Sequence, residues 1–362
     1  MAITPSGKPQ RSWRALASGL VSVLALAGTA ALAAEGDPDQ GLRPAAAGPQ
    51  AEAAAVTKAV WGGLRSGLPW ASGASSGAFL LESLRGRPLD VGTTYTNRRG
   101  SWADMVQSAG NIKTVTRYGL PVIGMGLFPD AYRGQHAQCA GGAFDGYMRQ
   151  IGAKLVASGG ARAVIRLGWE FNFVNKYSWA VTGTDAISAG NWKNCFRRWV
   201  QNLRTTPGQA FTIVWNAATE GTHPDVDMLY PGSEYVDVIG TQYYDRCPPA
   251  TTEALWQARY NKRTRSGAPA GLGTWLAYAK AKGKRLAIPE WGIGGPRNAC
   301  PRPGIDNPFF IRKMAEFLRA NAASIAFEAY FNGDGTPGVP GSHKLSPATY
   351  NPQSSAVYRS LW

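Results

Sequence analysis

The chain has few of the residues that metal and phosphate sites require. Its three histidines, His136, His223 and His343, lie far apart and in no metal-ligand spacing, which argues against a zinc site. No glycine-rich phosphate loop follows the first apolar run, since the segment Trp61–Leu64 does not continue as GxGxxG. We therefore expect neither a bound metal nor a cofactor.

Acidic residues are scarce as well. The chain contains 23 Asp and Glu against 38 Lys and Arg, which gives a formal net charge of +15. The basic residues are scattered, the densest group being Asn261–Arg265, and no nucleic-acid-binding motif accompanies them. This argues against a nucleic-acid partner. It leaves open both an ordinary basic surface and an anionic polymer as partner.

Cysteines are few, but their number is even. The four cysteines contain no CxxC pair, and in an exported chain they are expected to form two disulfides. Four cysteines allow three pairings. The strand order predicted below favours Cys139–Cys195 and Cys247–Cys300, because each pair then joins neighbouring segments on one side of a barrel.

Membrane-like apolar sequence occurs only near the N-terminus. Basic residues precede the apolar segment Leu16–Thr29, and the small-residue pattern Ala31-Leu32-Ala33 follows it. This order predicts a signal peptide over residues 1–33. The alternative is an uncleaved anchor helix, but the segment is rich in Ala and Gly and weakly apolar for a membrane span. We expect a secreted or periplasmic protein that is free of the membrane after cleavage.

The rest of the chain has the pattern of repeated βα units. Residues 34–57 lack periodicity and are expected to be a disordered lead-in. From residue 58, short apolar runs alternate with longer amphipathic stretches. The runs predicted as strands are Ala59–Leu64, Leu89–Tyr95, Pro121–Leu127, Arg162–Trp169, Phe211–Asn216, Val236–Tyr244, Arg285–Glu290 and Ser324–Phe331. Helical spacing is found in Ala143–Ala157, Trp192–Leu203, Gly273–Lys282 and Phe309–Asn321.

Eight strands with helices between them predict one α/β domain, a (β/α)8 TIM barrel over residues 58–362. An open doubly wound sheet is the alternative, and the missing phosphate loop argues against it. The segment Gly73–Gly77 matches the G-x-S-x-G nucleophile pattern. It does not follow a predicted strand, so we interpret it as a flexible loop.

Two glutamates close apolar runs where such barrels carry their active sites, at the C-terminal ends of the strands. Arg166 and Glu170 interrupt the fourth run at positions of the same parity, and Glu290 closes the seventh. Retaining glycoside hydrolysis requires two facing carboxylates about 5–5.5 Å apart. We expect Glu170 to be the acid/base and Glu290 the nucleophile. Arg166 is expected either to keep a carboxylate ionised or to form a structural salt bridge.

The motifs at these two strand ends resemble clan A of the glycoside hydrolases. Within that clan they are most similar to glycoside hydrolase family 26, the β-mannanase family, and the resemblance runs from about residue 58 to 362. The family pattern Arg-x-x-His-Glu-x-Asn is matched by Arg166–Asn172, and a second match is Pro289–Gly292. The resemblance implies an acid/base at Glu170 and a nucleophile at Glu290.

Further positions of the family match with two departures. The segment Val236–Tyr244 resembles the sixth strand of the family, which implies that Tyr244 donates a hydrogen bond to the nucleophile. Asn172 is expected to support the site. Trp169 stands where the family has histidine, and Gln242 where it has aspartate, so the sugar specificity stays open.

Aromatic and amide side chains at other predicted strand ends are candidates for sugar-binding subsites. Flat rings stack on sugar faces, although each ring is equally well explained as part of the core. The principal candidates are Trp61, Trp102, Trp169, Trp215, Asn216, Tyr243, Trp291 and Phe331. Further ones are Tyr95, Asn97, Phe128, Tyr330 and Asn332.

These features predict a monomeric retaining glycoside hydrolase that cuts a β-linked polysaccharide internally by double displacement. The candidate polymers are β-mannan, β-glucan, β-xylan and an exopolysaccharide. The alternatives are a secreted carbohydrate-binding barrel without activity and an exported scaffold for polysaccharide synthesis or secretion.

Overall fold

The computed structural model describes residues 64–246, 248–294, 306–334 and 343–362, and it contains a closed barrel of eight parallel strands. Each strand pairs with the next, and the first pairs with the eighth. The strands are β1 Ala71–Ser76, β2 Val91–Tyr95, β3 Leu120–Met125, β4 Val164–Leu167, β5 Thr212–Ala218, β6 Val238–Tyr244, β7 Arg285–Gly292 and β8 Ile325–Phe331. The predicted (β/α)8 barrel is confirmed.

Helices follow the strands and cover the outside of the barrel. They are α1 Ala78–Arg85, α2 Trp102–Ser108, α3 Lys113–Thr116, α4 His136–Ala140, α5 Asp145–Ala157, α6 Ala186–Arg204, α7 Glu253–Tyr260, α8 Leu272–Ala281, α9 Pro308–Ala320 and α10 Pro352–Leu361. Short 3-10 turns occupy Asp130–Tyr132, Val226–Leu229, Ser233–Tyr235 and Ala322–Ser324. None of the helices described has both the length and the apolarity that a membrane span needs.

Several helix starts are encoded by local capping residues. The Ser101 hydroxyl accepts from the Asp104 backbone N–H at 3.2 Å, and the Asp104 carboxylate accepts from the Ser101 N–H at 2.7 Å. This reciprocal pair satisfies backbone donors that would otherwise lack partners at the start of α2. The Asn307 side chain caps α9, whose first residue is Pro308, a residue suited to the first helical turn.

The first strand does not lie where the sequence predicted it. The prediction was Ala59–Leu64, most of which lies outside the described residues, whereas β1 is Ala71–Ser76 and includes much of the segment interpreted as a loop. Its small residues are required by close packing. A Cβ atom on Gly73 would lie 2.0 Å from the Val91 carbonyl oxygen of the neighbouring strand. A bulkier, more apolar sequence would push β2 away from β1.

The barrel separates two apolar clusters. The smaller one fills the interior and is built from strand residues, mainly Ala and Val, such as Val91, Val122, Val164, Val214 and Val238. The larger one lies between the sheet and the helices and holds most of the buried tryptophans. Each fully buried large apolar side chain stabilises the fold by about 1.5–3 kcal/mol, so the outer layer supplies most of the hydrophobic stabilisation.

A disulfide joins Cys139 of α4 to Cys195 of α6, with a Cα–Cα distance of 5.1 Å. This predicted pairing is therefore confirmed. The second predicted pair, Cys247–Cys300, lies outside the described residues, as do the signal peptide (1–33) and the lead-in (34–57).

Replacing both Cys139 and Cys195 with serine should lower the free energy of unfolding by about 2–4 kcal/mol, because the disulfide closes a long loop in the unfolded chain. The two cysteines are 56 residues apart. Urea unfolding of the oxidised wild type and the double variant measures the difference. Wild type treated with a reductant should be no more stable than the variant, and equal midpoints for all three would contradict the prediction.

Candidate active site

Glu290 lies near the C-terminal end of β7 and accepts hydrogen bonds from three side chains. Its Oε1 atom accepts from Arg166 Nη1 at 2.8 Å and from the Tyr95 hydroxyl, and Oε2 accepts from the Tyr244 hydroxyl at 3.3 Å. Burial alone would raise the pKa of Glu290, but the charge of Arg166 and these three hydrogen bonds outweigh it and lower the pKa. The carboxylate is therefore an anion at neutral pH.

Arg166 is completely buried in β4 and held from several sides. Its Nε atom donates to the Asn216 side-chain oxygen. With its amide oxygen turned toward the guanidinium, Gln242 accepts from Arg166 Nη2 at 2.7 Å and donates to the Ala217 carbonyl at 2.9 Å. Burial would lower the pKa of Arg166, but the nearby anion of Glu290 raises it. The guanidinium therefore stays charged and fixed in place.

The tyrosines beside Glu290 act as hydrogen-bond donors. Burial, and next the charge of Glu290, raise the pKa of both Tyr95 and Tyr244 well above the usual range. Tyr95 also accepts from Arg166 Nη1 at 3.0 Å while donating to Glu290. Both phenols are thus neutral, and their O–H groups point at the carboxylate.

Glu170 is placed at the mouth of the barrel by the backbone that follows β4 and not by the strand itself. Strand β4 ends at Leu167, and both Gly168 (φ 56°) and Glu170 (φ 55°) have left-handed backbone conformations. The Glu170 N–H donates to the Asn216 carbonyl at 2.8 Å. The alternation of strand residues, on which the sequence argument relied, therefore does not extend to Glu170; two left-handed residues place it.

The Glu170 carboxylate has two partners on the loop after β4. Its Oε2 atom accepts from the Tyr177 hydroxyl and lies 3.5 Å from Lys176 Nζ. Burial, and next Glu170, raise the pKa of Tyr177, so that phenol is a donor. The Lys176 side chain is 47% exposed, whereas the cation that pairs with Glu290 is completely buried. The two glutamates thus differ in how firmly a positive charge is held against them.

Trp169 and Asn172 flank Glu170 and have different roles. The Trp169 ring is nearly buried and meets the Tyr95 ring edge to face, 5.2 Å between centroids, which places it in the wall of the site. The Asn172 amide faces away and bonds both backbone groups of Ala218, accepting from N at 2.7 Å and donating to O at 3.0 Å. It fastens the Glu170 loop to the end of β5.

Most of the rings predicted as sugar platforms lie in the core. Trp215 is fully buried because the neighbouring Val214 faces the barrel interior and turns the indole toward the helices. Trp291 alternates with Glu290 in the same way, and its indole N–H donates to the buried carboxylate of Glu328. The prediction that these rings bind sugar is therefore wrong.

Other predicted subsite residues have mixed outcomes. Trp102 is buried and stacks on Tyr147 within the helical layer, with 4.9 Å between centroids, so it too is no sugar platform. Asn216 is fully buried and does not face the solvent: its side-chain oxygen accepts from Arg166 and its carbonyl accepts from the Glu170 N–H, so it supports the site from behind. The ring of Tyr243 packs on Trp256 and Phe310 in the core.

Phe331 and Trp61 complete the set. Phe331 is half-buried and packs edge to face against the ring of Tyr244, 6.2 Å between centroids, so it stays a candidate sugar platform. Trp61 lies outside the described residues.

Lys176 and Tyr177 were not predicted from the sequence, and Tyr95 was predicted only as a sugar-binding residue. Lys176 and Tyr177 lie in a polar loop without periodicity, and no sequence pattern marks them. Tyr95, in contrast, closes the second strand just as Glu290 follows an apolar run in the seventh. A search for every polar residue at a strand end would have included it with the carboxylates.

Comparisons with known proteins support the resemblance seen in these motifs. The model of glycosyl hydrolase family 26 matches residues 163–258, which include Glu170 but end before Glu290. A mannan endo-1,4-β-mannosidase of Bifidobacterium adolescentis is 27% identical over 176 residues, which is 44% of this chain and 16% of that protein. The chain thus spans about a sixth of the length of this curated relative.

Solved structures have the same fold. A modular endo-β-1,4-mannanase from Cellulomonas fimi superposes with a TM-score of 0.58 at 17% identity, covering 86% of this chain and 75% of that one. The catalytic domain of an endo-β-1,4-mannanase from Bacillus sp. JAMB-750 gives 0.55 at 15% identity, covering 84% and 89%. At such identities the likeness shows the barrel fold. The resemblance to family 26 is confirmed by the family match.

Replacing Arg166 with methionine should lower the free energy of unfolding by about 3–5 kcal/mol at neutral pH, because it leaves the largely buried Glu290 anion, 14% exposed, without its cation. In the wild type the lowered pKa of Glu290 contributes stability above its unfolded pKa. That contribution is lost as the pH falls through the folded value. In the variant burial raises the pKa of Glu290, so its ionisation destabilises the fold.

The difference in the free energy of unfolding between wild type and Arg166→Met should therefore be largest at neutral pH and small in acid. Urea unfolding at a series of pH values measures it. The double variant Arg166→Met/Glu290→Gln serves as control and should lose less stability than the single one. A gap that does not depend on pH would contradict the prediction.

Proposed function

We propose that this protein is a retaining O-glycoside hydrolase that cuts a β-linked polysaccharide internally. Glu290 is the nucleophile and Glu170 the acid/base. The observation that carries the proposal is the pairing of Glu290 with the buried Arg166 at 2.8 Å, which keeps a carboxylate ionised at the mouth of the barrel. A second carboxylate, that of Glu170, comes just after β4, the strand that carries Arg166, and has an exposed lysine and a phenol as partners.

The first half of the reaction forms a covalent glycosyl-enzyme. Glu290 attacks the anomeric carbon with a carboxylate oxygen while Glu170 gives its proton to the leaving glycosidic oxygen. Tyr95 and Tyr244 orient the attacking carboxylate through their hydrogen bonds. Arg166 keeps it deprotonated, so it attacks without first losing a proton.

The second half releases the sugar. Glu170, now a carboxylate, removes a proton from water, which attacks the anomeric carbon and displaces Glu290. Each displacement inverts the anomeric centre, so two displacements restore the β configuration. Glu170 recovers its proton and Glu290 its negative charge, and no cofactor is consumed.

The relatives favour β-1,4-mannan as the first substrate to test, because the proteins named above are described as mannan-cleaving enzymes. The departures at Trp169 and Gln242 favour testing other β-glycans beside it. Gln242 bonds Arg166 here, so its neutral amide accepts from the guanidinium without adding a negative charge. The predicted export of the protein fits a polymeric substrate outside the cytoplasm. The presence of both glutamates, each with hydrogen-bonding and cationic partners, argues against an inactive binding barrel.

Wild type, Glu290→Ala and Glu170→Ala should be compared on β-mannan, mixed-linkage glucan and xylan. We expect the wild type to release oligosaccharides whose new reducing ends are β, as followed by NMR. Each variant should lose at least about a thousandfold in kcat/KM. With an activated aryl glycoside, azide should restore Glu170→Ala and yield a β-azide, because two displacements occur. With Glu290→Ala, azide should instead yield an α-azide, because only one displacement occurs.

Glu316→Ala is the matched control, since this glutamate lies on α9 with its side chain 59% exposed. It should behave as the wild type does. An α product from the wild type would overturn the retaining mechanism. Full activity in Glu290→Ala would remove that residue as the nucleophile.

A further inference from the structure

A pocket of about 390 Å³ adjoins the candidate active site at the C-terminal ends of β5 and β6. It is called the basic pocket here and is lined chiefly by Glu220, Gln242, Tyr244, Arg246, Arg259 and Lys262. Two of these residues belong to the catalytic network, since Tyr244 donates to Glu290 and Gln242 accepts from Arg166. A glycan bound across the catalytic glutamates would therefore have this pocket beside it.

The cations of the basic pocket outnumber its anions. Arg246 and Lys262 both pair with one carboxylate, that of Glu220, the first at 3.5 Å between Nη1 and Oε2. Arg259 pairs with the buried Asp245 at 3.0 Å. Counting both carboxylates, three positive charges face two negative ones. The shared Glu220 leaves one cation able to take another anionic partner.

The two cations that share Glu220 are within reach of solvent. The side chain of Arg246 is 37% exposed and that of Lys262 is 50% exposed. Exposed ion pairs of this kind contribute little to stability, so their cations can exchange partners at low cost.

An ordered hairpin places further positive charge beside the pocket. The Ala270 N–H donates to the Lys262 carbonyl at 3.1 Å, and the Thr264 N–H donates to the Ala268 carbonyl at 2.9 Å. Arg263 and Arg265 are exposed on this hairpin. Between Glu253 and Lys280 the chain has four basic residues, Arg259, Lys262, Arg263 and Arg265, and no acidic one. The positive potential thus extends from the pocket to the surrounding surface.

We propose that the basic pocket binds the carboxylate of an acidic sugar unit, so that the glycan cut at Glu170 and Glu290 is a polyanion. The inference rests on the proposed function and specifies its substrate class. Guanidinium and ammonium groups form their strongest hydrogen bonds with carboxylates. A neutral sugar would have to bind beside an uncompensated cation, whereas a uronate would neutralise it. Arg246 and Lys262 supply the donors, and the basic hairpin attracts the polymer.

Binding to a matched pair of oligosaccharides tests the proposal. Hexamers of β-1,4-linked mannose and β-1,4-linked mannuronate differ only at C6, which carries a hydroxyl in one and a carboxylate in the other. Calorimetry with Glu170→Gln, which is expected to bind without cutting, gives both dissociation constants. We expect the mannuronate hexamer to bind at least about tenfold more tightly at low salt, since hydrogen bonds to charged groups are the stronger ones. The advantage should shrink as salt is added.

Lys262→Gln and Arg246→Gln, each in the Glu170→Gln background, should remove most of that preference. Lys284→Gln is the matched control, because it removes the same charge just before β7, at the opposite end of the barrel from the site. It should keep the preference. Sodium acetate at equal ionic strength should compete no better than chloride, which distinguishes a carboxylate held within a glycan from any small anion.

Equal affinity for the two hexamers overturns the proposal. So does a preference that survives both pocket variants, or an absence of binding by the mannuronate hexamer. Hydrolysis by the wild type is measured separately. A charged hexamer that binds through Lys262 and Arg246 but is never cut would refute the hydrolase and leave the pocket standing. Cleavage of neutral mannan, with no preference for the charged hexamer, would support the hydrolase and refute the carboxylate-binding pocket.

Discussion

The ion pair between the fully buried Arg166 and the largely buried Glu290 is the constraint on which the site depends. Removing two charges from water costs several kcal/mol for each ion, and only excellent geometry with further hydrogen bonds repays it. Here Tyr95, Asn216 and Gln242 complete the arrangement. These five groups belong to β2, β4, β5, β6 and β7. The carboxylate is therefore held ionised only when these strands are correctly paired in the barrel, and the network in turn joins the strands.

The sequence was most informative where burial and function conflict. A charged residue that ends or interrupts an apolar run is costly, so Arg166 and Glu290 stood out without any structure. Strand β7 was found because Leu286 to Ile288 are strongly apolar. Strand β1 was missed for the opposite reason: its residues are only Ala, Ser and Gly, without an apolar run, and at Gly73 β2 approaches too closely for any side chain.

The side-chain environment was harder to predict than the strands. Alternation along β5 could have assigned Trp215 to the core once Val214 and Asn216 were taken to face inward. No comparable rule reaches Lys176 and Tyr177. They meet Glu170 through an irregular loop, and its course depends on long-range contacts such as the one between Asn172 and the end of β5.

The left-handed backbone of Glu170 has a consequence for how this barrel can evolve. A residue other than glycine in that conformation is strained by about 1–3 kcal/mol. Glycine there would relieve the strain and remove the carboxylate proposed as the acid/base, so the most stable variant at this position would lack that group. Selection for stability alone would therefore favour glycine at this position. The proposed acid/base role accounts for a glutamate at a position where glycine would be the more stable residue.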